Sequence, residues 1–278
     1  MTLAGDARAF LAAARMYLRQ QRRYPTYFLG LLFWPAMLPA SWVLMGQAYS
    51  GGDQQALSAF ASRAGTTSVA GFVFVGFAMY MWLSTLLWGP GTALRQEQVR
   101  GRLEAVFLTP ASRIVPLFGP GVASLLPLAM TFVVMGVALW VFFGVVTPAD
   151  AIAPAAVIVA VGIPSMYAIG SLVAASVLRF GEVGPLVQLI RGMFVLACGI
   201  TFPVAMLPLW GRVWAALLPP TYIVDDLRRV LLRGAGVPEL SGDLAFVLAM
   251  AVLTAALAVG VFGVLERSAR QSGMLSRF

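Results

Sequence analysis

Six stretches of the chain carry no Asp, Glu, Arg or Lys: 24–52, 64–94, 114–149, 151–178, 192–211 and 244–265. Each is long enough to cross the roughly 30 Å hydrocarbon core of a bilayer as a helix rising about 1.5 Å per residue. Leu, Val, Ala, Phe and Met dominate them, with scattered Gly and Pro. Spanning helices tolerate those two because neighbouring helices re-satisfy the freed backbone groups. The pattern predicts six transmembrane helices. No stretch alternates polar and apolar at every second residue, so a β-barrel is not expected. The first apolar run is longer than the core of a cleaved signal peptide, and five Arg lie in the 23 residues ahead of it, which predicts a retained first span.

Three segments depart from simple spans. In residues 1–23, Arg8, Arg15, Arg19 and Arg22 share one helical face and Phe10, Ala14 and Tyr17 the opposite one, the pattern of a helix lying in the headgroup plane. In residues 94–110, Gly101 can start a short helix, Glu104 falls in its first turn where the dipole favours a negative charge, and Pro110 helps to end it. Val106 and Phe107 give that helix an apolar side to dock with. In residues 196–234, Gly199, Pro203 and Pro208 predict a fifth span broken inside the membrane, with re-entrant character. Pro219, Pro220 and Thr221 then open an amphipathic helix for the outer interface. Its Ile223, Leu227, Val230 and Leu231 share a face, and Asp225 is spaced to reach Arg228 and Arg229.

Composition fixes the solvent and the sidedness. Of 278 residues, 60% are hydrophobic and 11% charged, against about 25% charged in soluble domains. That many apolar side chains cannot be hidden behind so few charges, which excludes a water-soluble globule. All 19 basic residues are Arg, and the formal net charge is +8. Counted on alternate sides of the six spans, one side holds fourteen Arg and five acidic residues, a net +9, and the other five Arg and six acidic residues, a net −1. The positive-inside rule then puts both termini in the cytoplasm. A surplus spread in this way is a topology signal rather than a nucleic-acid surface. With no His and a single cysteine, Cys198, neither a His-based catalytic triad nor a thiolate cluster can form. No catalytic residue or metal site is expected.

Two blocks carry a family resemblance. The first is Arg95-Gln96-Glu97, then Gly101-Arg102-Leu103-Glu104 and Thr109-Pro110; the second is Gly199-Ile200-Thr201-Phe202-Pro203 through Leu207-Pro208, then Leu218-Pro219-Pro220-Thr221-Tyr222 and Leu227-Arg228-Arg229. In order and in position on six spans, they resemble the membrane subunits, or permeases, of type-2 ABC exporters. The likeness takes in essentially the whole chain as one permease domain, 1–278, and departs where Arg102 replaces the usual Thr. It implies that segment 94–110 is a coupling helix docked on a separate ATPase, with Arg95, Glu97, Arg100, Gly101, Arg102, Leu103 and Glu104 at or near the contact. It implies an outer gate through Gly199, Pro203, Pro208, Pro219, Pro220, Thr221, Tyr222, Asp225, Arg228 and Arg229. It also implies a second permease copy as partner, a bacterial inner-membrane location, and ATP and Mg held by the ATPase rather than by this chain.

The residues are consistent with such a division of labour. The phosphate-binding pattern G-x-x-x-x-G-K-[ST] requires a Lys, and the chain has none. Aromatics in the spans, among them Trp34, Phe72, Phe74, Phe77, Tyr80, Trp82, Trp140 and Phe142, suit a hydrophobic or amphipathic substrate such as a drug, an antibiotic or a lipid-like compound. Export of a lipid-linked glycan by the same kind of permease is the alternative. An ion-coupled secondary transporter would need titratable groups deep within the spans, and the charge pattern places all but Arg191, at the start of span 5, at boundaries. A membrane-embedded enzyme would lack both His and an intramembrane acidic pair.

Overall fold

A computed structural model describes residues 25–50, 53–88, 124–180 and 184–271, together with Arg15 and Arg19. The described residues are all-helical, with nine α-helices, two short 3-10 turns and no strand. In chain order the helices are α1 (Pro25–Ser50), α2 (Gln54–Ala64), α3 (Val69–Trp88), α4 (Leu125–Phe143), α5 (Ala149–Phe180), α6 (Gly184–Ala197), α7 (Leu209–Leu217), α8 (Pro219–Arg233) and α9 (Ser241–Gln271). Four segments are long and apolar enough to cross a membrane: Val69–Trp88, Leu125–Phe143, Ala149–Ser176 and Val237–Leu265. The 94–110 segment lies outside the described residues, as does the 1–23 helix apart from Arg15 and Arg19, both helical and exposed.

Two expected boundaries move. The second charge-free run opens at Ala64, but Ala64 ends the separate helix α2 and the apolar helix starts at Val69. Local chemistry makes the break. Asp53 caps α2 by accepting from the Gln55 amide at 2.8 Å, and Gly65, at φ 65°, closes it in the left-handed region. Ser68 then caps α3 by accepting from the Gly71 amide. Helix α6 starts upstream of the fifth charge-free run. It covers Gly184–Ala197, so Arg191 sits inside it rather than at its start. Arg191 is accommodated there because it bonds the Tyr80 hydroxyl, lies over the Tyr80 ring with Cζ 4.9 Å from the centroid, and donates to Gln188 at 3.1 Å.

Helix α3 is the axis of the packing. Its Phe74, Met79, Trp82, Leu83, Leu86 and Leu87 are all buried. One side meets α1 and α4 through Val43, Met135 and Leu139. The other meets α5, α6 and α8, where Ile158, Met166, Ile200, Ile223 and Leu227 join a larger cluster. The long helices α5 and α9 pack extensively on each other, and α8 wedges between α3, α5 and α9. Helix α4 packs on α1 and α3 and scarcely touches α5. A cleft of about 600 Å3 results, lined by Phe74, Leu128, Phe132, Val159 and Leu231, among others.

Candidate functional site

The site is built on the interruption after α6. The helix stops at Ala197, Gly199 takes φ 67°, and a 3-10 turn at Val204–Met206 leads through Pro208 into α7. Glycine is required at 199 twice over. Its φ lies where side chains are strained, and a Cβ there would sit 2.7 Å from Val204 Cγ2. A helix that ends inside a protein leaves carbonyls without partners, and an orphaned one costs several kcal/mol in an apolar medium.

Arg228, on α8, supplies the partners. Its Nη1 donates to Gly199 O at 2.8 Å and its Nη2 to Ile200 O at 3.0 Å. Nη2 and Nε also donate to Phe72 O on α3, at 3.0 and 3.2 Å. The guanidinium lies over the Phe72 ring, Cζ 3.3 Å from its centroid. Only 4% of the residue is exposed, and no carboxylate lies within ion-pair distance among the described residues. Burial pulls its pKa down to about 9, which leaves it protonated at neutral pH. The charge is met by carbonyl dipoles at the end of α6 and by the ring face. Gly76 admits the approach of the two segments: a Cβ there would fall 2.0 Å from Ile200 O and 2.6 Å from Arg228 Nη2.

The next residue, Arg229, gathers the acids. It reaches Asp225 at 2.7 Å and Asp243 at 3.0 Å, tying α8 to the first turn of α9, with Asp226 at 3.8 Å. Asp226 is completely buried, and neither of its oxygens has a hydrogen-bond partner. Burial pushes its carboxyl up to about 7; Asp243 and Asp225 push the same way, and Arg229 opposes. A cavity of about 360 Å3 opens above these groups, bounded also by Arg63 from α2, Arg212 from α7 and Arg233.

Of the gate residues expected from sequence, Gly199 and Arg228 bond directly. Pro203, Thr221, Tyr222, Asp225 and Arg229 line the cavity with Arg228. Pro208 is the N-cap of α7, and Pro219 and Pro220 open α8. Tyr222 donates to Ala216 O at 3.0 Å and packs against Phe246, the rings tilted by 42° with centroids 4.5 Å apart. The coupling residues Arg95, Glu97, Arg100, Gly101, Arg102, Leu103 and Glu104 lie outside the described residues.

Two expectations for α8 need correction. Asp225 pairs with Arg229 and forms no ion pair with Arg228, whose guanidinium is turned inward to the freed carbonyls. The helix is also buried well beyond its expected apolar face, because Val224, Asp226 and Arg228 are covered as well as Ile223, Leu227 and Val230. Sequence reasoning missed Gly76 and Asp226, and took Phe72 only as one of the span aromatics, not as the partner of Arg228. Asp226 could have been found: it lies three residues after Ile223 and four before Val230, on the buried face of a helix. Phe72 and Gly76 carry no such mark, since both lie in an unbroken apolar run. No protein-family model matches the chain, and no curated protein is significantly similar to it.

Proposed function

We propose that the chain is the membrane-spanning subunit of an ATP-driven type-2 ABC exporter, which pairs with a second permease copy and draws its energy from a separate ATPase holding ATP and Mg. The observation that carries this reading is the interrupted run after α6. A short apolar helix stops at Ala197, turns at Gly199, and is followed by α7 and then by α8, which packs back onto α3 through Arg228. A static anchor has no need of buried irregular backbone, whereas a pathway that opens and closes uses it. In this reading the chain makes six spans, α6 being the fifth, with both termini on the basic, cytoplasmic side of a bacterial inner membrane.

The substrate is hydrophobic or amphipathic, a drug, antibiotic or lipid-like compound. The cleft between α4 and α5, walled by Phe74, Phe132, Met135 and Leu231, supports that choice over a glycan. Closure of the ATPase pair pushes on residues 94–110 and tilts the helices on either side.

Co-purification with the tagged chain tests the reading: a nucleotide-binding subunit should follow it, and the purified complex should hydrolyse ATP. A complex without ATPase activity sinks the proposal. Within it, Glu104→Arg should uncouple or release that subunit while the chain still inserts. Parental hydrolysis and transport in the variant would mean that the coupling element lies elsewhere. One observation favours a second reading, ion-coupled transport: the fully buried Asp226 carboxylate, which accepts no hydrogen bond and has Arg229 only at 3.8 Å. Transport that follows a proton gradient without ATP, and that stops in Asp226→Asn, would select it.

A further inference from the structure

The five arginines that the charge pattern assigns to one side of the membrane, Arg63, Arg212, Arg228, Arg229 and Arg233, come from three helices and line the same 360 Å3 cavity. The acids lining it are Asp225 and Asp243, and both are bonded to Arg229. Among the described residues the other four arginines have no carboxylate partner. Arg228 is spent on backbone carbonyls. Arg212 donates from Nε to Leu207 O at 2.8 Å and from Nη2 to Ala205 O at 2.5 Å, which fixes the guanidinium and leaves Nη1 over. Arg233 donates from Nη2 to Ala64 O at 2.6 Å and keeps its remaining N–H groups. Arg63, in the last turn of α2, makes no hydrogen bond or ion pair. Like charges crowded around one cavity repel one another unless something anionic joins them.

We propose that this cavity is an oxyanion site that binds a phosphate-type group. Guanidinium N–H groups match the oxygens of a phosphate, and Arg63, Arg212 and Arg233 keep such groups to offer, the last two already held by backbone. The volume exceeds that of a bare phosphate and leaves room for a substituent. Helix α7, which brings Arg212, turns an opposite face outward: Trp210, Val213, Trp214 and Leu217, all more than half exposed and at helical spacing. An arginine-bounded cavity beside an exposed tryptophan face is arranged for a lipid whose phosphate enters the cavity and whose chains lie along the tryptophans. A free phosphate ester carries the same recognised group. The proposal does not rest on the exporter reading, because binding can be measured without ATP or transport.

The test uses the purified full chain in nanodiscs of phosphatidylcholine containing about one tenth phosphatidylglycerol, with lipids retained on extraction counted by native mass spectrometry. The parent chain should retain phosphatidylglycerol about tenfold over its share of the disc. Arg63→Gln with Arg212→Gln should bring retention down to that share. Arg63→Gln alone removes a side chain that makes no bond, so it tests the site even if the pair folds poorly, with a loss of about threefold expected. Arg267→Gln, at an exposed position outside the cavity, should change nothing.

In a parallel arm, inorganic phosphate is titrated against the same chain in detergent, read by thermal shift. Saturable binding lost in Arg63→Gln, without lipid retention, would assign the site to a free phosphate ester. Retention of lipid without phosphate binding would assign it to the headgroup. Absence of both, or equal loss in Arg267→Gln, overturns the proposal.

Discussion

Two cavities flank the same pair of helices, and they are made in opposite ways. On one side of α3 and α8, Phe72, Val224, Asp225 and Arg228 face a polar space; on the other, Phe74, Val75, Leu227 and Leu231 face an apolar cleft. The polar space is framed by directional bonds that fix where backbone and side chains sit. The apolar cleft exists because α4 and α5 barely touch, and its walls are held by side-chain packing rather than by directional bonds. The first should respond sharply to loss of single atoms, and the second should absorb changes by repacking.

The hardest blow to that contrast falls at Arg228. Arg228→Met should cost about 3 to 5 kcal/mol, since it strands the Gly199 and Ile200 carbonyls in a buried setting. Thermal unfolding of the purified chain reads this, and Arg228→Lys should recover only part, because one ammonium cannot span three carbonyls. A stability unchanged in Arg228→Met would show that the polar frame is ornamental.

Asp226→Asn probes the same frame with the opposite sign. An acid raised from 3.8 to about 7 on folding holds its proton in the native chain while the unfolded chain loses it. Its favourable contribution is complete below about pH 4 and is lost as pH rises toward 7. The Asn variant should therefore be more stable than the parent at pH 8, by at most about 4 kcal/mol for a shift of this size, and the gap should close by pH 4. A gap independent of pH would mean that Asp226 ionises as freely as an exposed acid.

The smallest test compares one substitution on each side. A Cβ on Gly76 meets the Ile200 carbonyl, whereas one on Gly136, lining the cleft, meets nothing within 4 Å. Gly76→Ala should cost about 1 to 3 kcal/mol through overpacking. Gly136→Ala should cost nothing, and helix propensity should gain it up to about 1 kcal/mol. Equal effects would erase the distinction between the two cavities.

The helical class was legible because runs without charge are long and the requirement for satisfied backbone in lipid leaves few alternatives. The break at Gly199 and Pro203 was legible too, since both residues act on their own backbone. Arg228 was visible as a residue of α8, but its role was not, because its bonds reach back 156 residues to Phe72 and 28 to Ile200. The start of α6 was hidden for a related reason. A charge marks the edge of an apolar run in sequence, while Tyr80, 111 residues away, bonds Arg191 inside the helix.

The link from Arg228 to Phe72 has a mechanical meaning. It fastens α8 and the Gly199 turn near one end of α3, a rod of 20 residues. At 1.5 Å per residue the rod is about 30 Å long, so a pivot of roughly 10° at its far end would sweep the fastened end through about 5 Å. The fastening joins lever to latch: displacement applied near Trp88 would arrive at the arginine-lined cavity as translation of a whole helix, with little lost to bending between them.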